Sequence, residues 1–131
     1  MELNHIALTC TSEKNAGKFY GGILGLKKMR SFSIPENLTK QLFGLNKESR
    51  VLTYSNGDFS VELFLADKNE AIHPVFDHTC LEVKDREEVI KKCIDVDIEV
   101  IKIPRGDSFL LFIRDHDGNL FEIKEKIGSI R

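Results

Sequence analysis

The chain has 131 residues, 41% of them apolar and 31% charged, with a net charge of −2; this is the balance of one globular domain or of two small modules sharing a core. No segment gathers the Lys and Arg of a phosphate-binding face, and no apolar run approaches the length of a membrane span, so neither nucleic acid nor membrane is an expected partner. Cys10, Cys80 and Cys93 are odd in number and lack C-x-x-C spacing, and Met1-Glu2-Leu3-Asn4 does not open a signal peptide. Reduced thiols and a cytoplasmic location are expected.

A first strand is expected over residues 3–10, with His5, Ala7 and Thr9 on one face. Ser12 can cap a helix in which Ala16, Phe19, Tyr20 and Ile23 recur at helical spacing, and Gly25 stands where a helix end favours a left-handed residue. Extended segments follow at 27–34, 50–55 and 59–65, the last two separated by the hairpin signal Asn56-Gly57. Residues 35–48 read as irregular, with a turn of helix after Pro35 and Glu36. At Asp77 the pattern restarts. A strand is expected over 77–83, then a helix opened by Asp85 and Glu88 with Val89, Ile90, Cys93 and Ile94 as its apolar stripe. Strands follow at 98–103, 108–114 and 119–125, joined by turns at 105–107 and 115–119. The order βαβββ therefore occurs twice.

His5 and His78 are 73 residues apart, each at the start of a module's first strand; Glu62 and Glu122 are 60 apart, each in a module's last strand. The difference of 13 between these spacings is roughly the length of the irregular segment 35–48, which the second half lacks. A glutamate inside Val-Glu-Leu-Phe-Leu, repeated in Leu-Phe-Glu-Ile, is costly to bury unless it is paired or binds a metal. Singly, a strand glutamate facing solvent or a structural histidine is the commoner reading. At matching places in two modules, two imidazoles and two carboxylates form a borderline N/O donor set for a divalent first-row metal.

Asn4-His5-Ile6-Ala7, Lys18-Phe19-Tyr20 with Ile23-Leu24-Gly25-Leu26, Val61-Glu62-Leu63, Asp77-His78, and Asp115-His116-Asp117-Gly118-Asn119 with Phe121-Glu122-Ile123 carry a family resemblance. On these residues, spread over nearly the whole chain, the sequence resembles the vicinal oxygen chelate superfamily (glyoxalases, bleomycin resistance proteins and dioxygenases). Within it, the His-Glu-His-Glu set is most like glyoxalase I, lactoylglutathione lyase. The resemblance implies an α+β, glyoxalase-like fold: two tandem βαβββ modules, about 1–66 and 77–126, forming a cupped, open mixed sheet in a single domain over 1–131. It implies His5, Glu62, His78 and Glu122 as metal ligands, with one divalent ion (Ni, Zn, Co or Mn) per site. It also implies Glu122 as the catalytic base, with Glu62 its counterpart, and gives the turn histidine His116 no role.

The expected activity is that of a lyase or isomerase acting on a small 2-oxoaldehyde–thiol adduct, or a related substrate with vicinal oxygens, through a metal-stabilised enediolate. The alternatives are a 2-acyl thioester epimerase and a non-catalytic small-molecule binding or resistance protein of the same fold. Two positions depart from glyoxalase I: Gly22 stands in place of a basic residue and Ala66 in place of an asparagine, so both glutathione contacts are missing. Arg30, Arg50, Arg105, Arg114 and Lys124 are candidate holders of an anionic substrate tail. Relatives of this size usually form twofold homodimers, which implies His5 and Glu62 of one chain facing His78 and Glu122 of the other. The connection over residues 66–76, able to span roughly 35 Å when extended, permits that arrangement.

Overall fold

The computed structural model describes residues 3–70 and 76–126. The chain divides into two units, residues 1–72 and 73–131. In the first, β1 (Ile6–Cys10) leads into α1 (Glu13–Ala16), which continues without a break as a π-helical stretch (Gly17–Ile23). Then come β2 (Lys27–Ile34), α2 (Glu36–Phe43), β3 (Ser49–Ser55), β4 (Ser60–Leu65) and a single 3-10 turn (Lys68–Glu70). The second unit contains β5 (Thr79–Val83), α3 (Arg86–Asp95), β6 (Val100–Arg105), β7 (Ser108–Arg114) and β8 (Leu120–Glu125).

Each unit builds its own four-stranded mixed sheet, ordered β1-β4-β3-β2 and β5-β8-β7-β6. In both, the module's first strand pairs in parallel with its last, and the remaining pairings are antiparallel. The twice-repeated βαβββ order is present, and it is the glyoxalase-like topology.

Local chemistry explains the helices. The Ser12 hydroxyl accepts the Asn15 N–H, and the Asp85 carboxylate accepts the N–H groups of Glu87 and Glu88; each satisfies donors that a helix start leaves open. Ala16, Phe19, Tyr20 and Ile23 are all buried, as their spacing predicts. The widened π turns come where Gly17 and Gly21 bring the helix against the Tyr54 ring: a Cβ added at either would lie 3.7–3.9 Å from it. Gly25 ends the helix at φ +70°.

Strand alternation does the rest. β4 buries Val61 and Leu63, β8 buries Phe121 and Ile123, and the intervening Glu62 and Glu122 are left on the opposite face. Burial of each large apolar side chain contributes roughly 1.5–3 kcal/mol.

Four expectations change. Residues 35–48 are not irregular throughout: Glu36–Phe43 is an eight-residue helix, ended by Gly44 at φ +73°. The first strands begin at Ile6 and Thr79, so each histidine immediately precedes its strand, because parallel pairing starts at Ile6 with Val61 and at Thr79 with Phe121. The Asn56-Gly57 connection is longer than two residues, since the strand register closes at Ser55 with Ser60. Asn56 Oδ1 accepts the N–H groups of Asp58 and Phe59 and so organises the wider loop. Ile94 leaves the apolar stripe of α3 and is exposed, at the rim of the face that Val89, Ile90 and Cys93 bury. Residues 71–75 of the connection lie outside the described residues.

Candidate metal-binding and catalytic residues

The two histidine–glutamate pairs are built by one device used twice. In the parallel ladders, Ala7 pairs with Glu62 and Cys80 pairs with Glu122. Each glutamate thus lies opposite the residue two positions after the histidine of its own unit. His5 Nε2 is 3.3 Å from Glu62 Oε1, and His78 Nε2 is 3.8 Å from Glu122 Oε1. The carboxylates are the more enclosed partners, with 23% and 18% of their side chains exposed against 38% and 42% for the imidazoles.

The other ring nitrogen fixes what Nε2 can do. His5 Nδ1 lies 2.7 Å from Asn4 Oδ1, and His78 Nδ1 lies 2.9 Å from the Phe76 carbonyl oxygen. Both partners are oxygen acceptors, which suits the tautomer with the proton on Nδ1. In the neutral imidazole the Nε2 lone pair then faces a carboxylate oxygen. In that form the Nε2 and carboxylate oxygen offer two donor atoms to one cation, and an outer acceptor on Nδ1 is the usual support of a metal-binding histidine. The donor chemistry therefore fits a divalent ion. The structure brings His5 to Glu62 and His78 to Glu122; among the described residues no group of three or more His, Cys, Asp or Glu forms within reach of one ion.

The neighbours of the two glutamates differ. Opposite Glu62 on β3 is Thr53, whose buried hydroxyl has no hydrogen-bond partner among the described residues. Opposite Glu122 on β7 is Phe112, whose ring meets His78 edge-on at 6.2 Å. Cys80, exposed and in register with Glu122, has its thiol pushed up by partial desolvation and then by the Glu122 carboxylate.

The Asp-His-Asp-Gly-Asn turn aligns β8. The buried Asp115 carboxylate accepts the N–H groups of Asp117 and Asn119 and the Asn119 side-chain amide, and Gly118 adopts φ +85°. His116 is exposed, as its place in a turn predicts.

Three of the basic candidates are engaged locally. Arg50 binds Glu13 and Ser31, Arg114 reaches Glu99 and the Gly118 carbonyl, and Arg30 lies over the Phe32 ring. The Lys28 ammonium and the Arg50 guanidinium hold the Glu13 carboxyl below its usual range.

The residues 35–48 contribute a feature that the sequence did not disclose. Phe43 and Leu45 close one side of a cleft of about 250 Å³ over the β1–β4 edge, where Ala7, Thr9 and Phe64 form the floor. The pair Pro35-Glu36 and the closing Gly44 were the available signals for its helix.

Two βαβββ repeats with matched His–Glu pairs define the class of fold. The Glyoxalase/Bleomycin resistance protein/Dioxygenase superfamily matches residues 2–123, and the chain belongs to it; members of that superfamily are typically metal-dependent. The fold is similar to that of a glyoxalase family protein from Bacillus cereus, with a TM-score of 0.74, 19% identity, and coverage of 98% of this chain and 95% of that one. It is similar also to the genomically encoded fosfomycin resistance protein FosX from Listeria monocytogenes (TM-score 0.71, 15% identity, 97% and 94% covered). A glyoxalase family protein from Enterococcus faecalis gives a TM-score of 0.68 at 22% identity, with 93% and 95% covered. No helix among the described residues is long and apolar enough to cross a membrane.

Proposed function

We propose that the protein is a metal-dependent lyase or isomerase of glyoxalase type, acting on an adduct of a small 2-oxoaldehyde with a thiol or on a related substrate with two neighbouring oxygens. The observation that supports this reading most directly is the duplicated geometry, in which each unit sets a Nδ1-anchored histidine against a glutamate at the same ladder register. His5, Glu62, His78 and Glu122 would together hold one Ni, Zn, Co or Mn ion. One His–Glu pair supplies only two donors, fewer than such ions take, so the pairs combine; we assign them to two chains of a homodimer.

When bound, the ion supplies Lewis-acid stabilisation of negative charge on two neighbouring substrate oxygens. The Glu122 carboxylate takes the carbon-bound proton and returns it to the adjacent carbon, with the Phe112 ring in register opposite it and edge-on to His78. Glu62 is the matching oxygen donor of the other half. Gly22 and Ala66 favour a thiol other than glutathione.

Metal analysis of the purified protein, followed by loss of a carbon-bound proton to deuterated solvent from 2-oxoaldehyde–thiol adducts, tests the proposal. Exchange on a 2-acyl thioester alone would identify an epimerase instead, and binding without exchange a resistance or binding protein. For the shared site, a His5→Ala chain is mixed with a Glu122→Ala chain. Recovery of one intact site per heterodimer is expected, and a mixture that stays as metal-poor as its parents after proven exchange rejects the assignment.

A further inference from the structure

The cleft beside the first His–Glu pair has a chemistry of its own. Ala7 is the ladder partner of Glu62 and Thr9 that of Phe64, so the floor of the cleft continues the strand face that carries Glu62. Its walls are apolar: the Phe43 and Phe64 rings meet edge to face at 5.3 Å, and Leu45 and Ala66 line it as well. An apolar cavity of about 150 Å³ accommodates benzene. At about 250 Å³ this one has room for a ring and a short arm.

Charge narrows the choice further. Among the described residues, the one ammonium lining the cleft, Lys47, sits 2.6 Å from Glu70 Oε1 and 3.8 Å from Asp67 Oδ2. Two carboxylates thus face one cation, leaving the local balance negative. Glu70 is itself fixed by the Lys47 ammonium and the Asp67 N–H. The charge of the lysine is therefore already offset by its two carboxylate neighbours, and an anionic group on a ligand would gain less here than an uncharged one.

We propose that this cleft is a specificity pocket for an uncharged apolar substituent of the substrate, a phenyl or branched alkyl group, seated against the packed Phe43 and Phe64 rings next to the His5–Glu62 pair. The proposal names the substrate class of the site described above and rests on that reading for its catalytic meaning, whereas the binding it asserts is independent of metal and turnover.

The test uses the full chain and two non-reactive probes, phenylacetamide and phenylacetate, followed by amide chemical-shift titration. Phenylacetamide should shift Ala7, Thr9, Phe43 and Phe64 in a saturable manner, with a Kd on the order of 1 mM for a ligand of this size. Phenylacetate should bind more weakly. Ala7→Ile, a substitution at an exposed strand position, should fill the floor and abolish binding with the fold intact. Glu70→Gln should free Lys47 and improve phenylacetate relative to phenylacetamide by roughly two- to fivefold, the worth of one exposed ion pair. Shifts confined to other residues, or equal binding of the two probes unchanged by Glu70→Gln, overturn the pocket. Saturable binding here without proton exchange on any adduct leaves the pocket standing and rejects the glyoxalase-type activity; exchange without binding here does the reverse.

Discussion

The two halves share strand order, strand direction and the ladder register that sets histidine against glutamate, yet they surround that pair differently. The first half inserts α2 and opens a cleft beside Glu62, and it places a buried hydroxyl, Thr53, without a hydrogen-bond partner among the described residues, opposite the carboxylate. The second half has no such helix among its described residues and places an aromatic ring, Phe112, opposite Glu122 and against His78. Even the anchors of the imidazoles differ: a side-chain amide oxygen for His5, a backbone carbonyl for His78. A ladder register can be duplicated because it depends on backbone pairing. The side chains around it are free to diverge, and here one half sets a cleft beside its carboxylate while the other sets an aromatic ring.

The largest expected effects come from removing the pairs themselves. His5→Ala/His78→Ala should cost metal affinity beyond the roughly 10–100-fold typical of losing an outer-shell partner, measured by metal content and by titration; unchanged content would refute the ligand set. Asn4→Ala should itself give an effect in that 10–100-fold range, and only in the first half, since no side-chain substitution removes the Phe76 carbonyl. Glu122→Gln should abolish proton exchange.

Next in size is a pH effect centred on Cys93 in the second half. Cys93 is fully buried, and its burial pushes the thiol from its ordinary 9.0 up to about 11. The folded state therefore binds this proton more tightly than the unfolded chain. The corresponding stability is fully present below pH 9 and is lost as pH rises toward about 11, by about 2–3 kcal/mol. Urea denaturation at pH 8 and 11 should show the loss, and Cys93→Ala should flatten it relative to the same measurement on the wild type.

Smaller effects probe the first half. Thr53→Val should raise stability by up to about 1 kcal/mol, because it removes a buried hydroxyl without a hydrogen-bond partner among the described residues; a fall in thermal midpoint would show that the hydroxyl has a partner in solution. Gly22→Arg should fold normally, since a Cβ there meets nothing within 4 Å, and should add up to roughly 0.8 kcal/mol of helix preference. It should also raise turnover of a glutathione adduct relative to adducts of smaller thiols. A clear preference of the unaltered protein for glutathione would contradict the reading of Gly22 and Ala66. His116→Ala, at an exposed turn, should change stability by no more than about 0.5 kcal/mol and leave metal content untouched.

The sequence by itself determined what depends on near neighbours. Ser12 and Asp85 marked helix starts because a cap acts over three residues, and Asp115 with Gly118 and Asn119 marked a turn for the same reason. The repetition of His5 in His78 and of Glu62 in Glu122 was legible because strand alternation makes a lone carboxylate conspicuous between apolar residues. Only the tertiary structure decided the ladder offset that brings each histidine to its glutamate, since pairing of β1 with β4 joins segments some fifty residues apart and no local rule sets that register. α2 was half legible: Pro35 and Glu36 marked a turn of helix, but Leu38, Leu42 and Phe43 remain exposed and Thr39 is its one buried residue, so no core-facing stripe fixed its length. The cleft likewise exists only once Phe43 and Leu45 are carried over Phe64 and Ala7, a meeting of distant segments whose chain order says nothing of their contact.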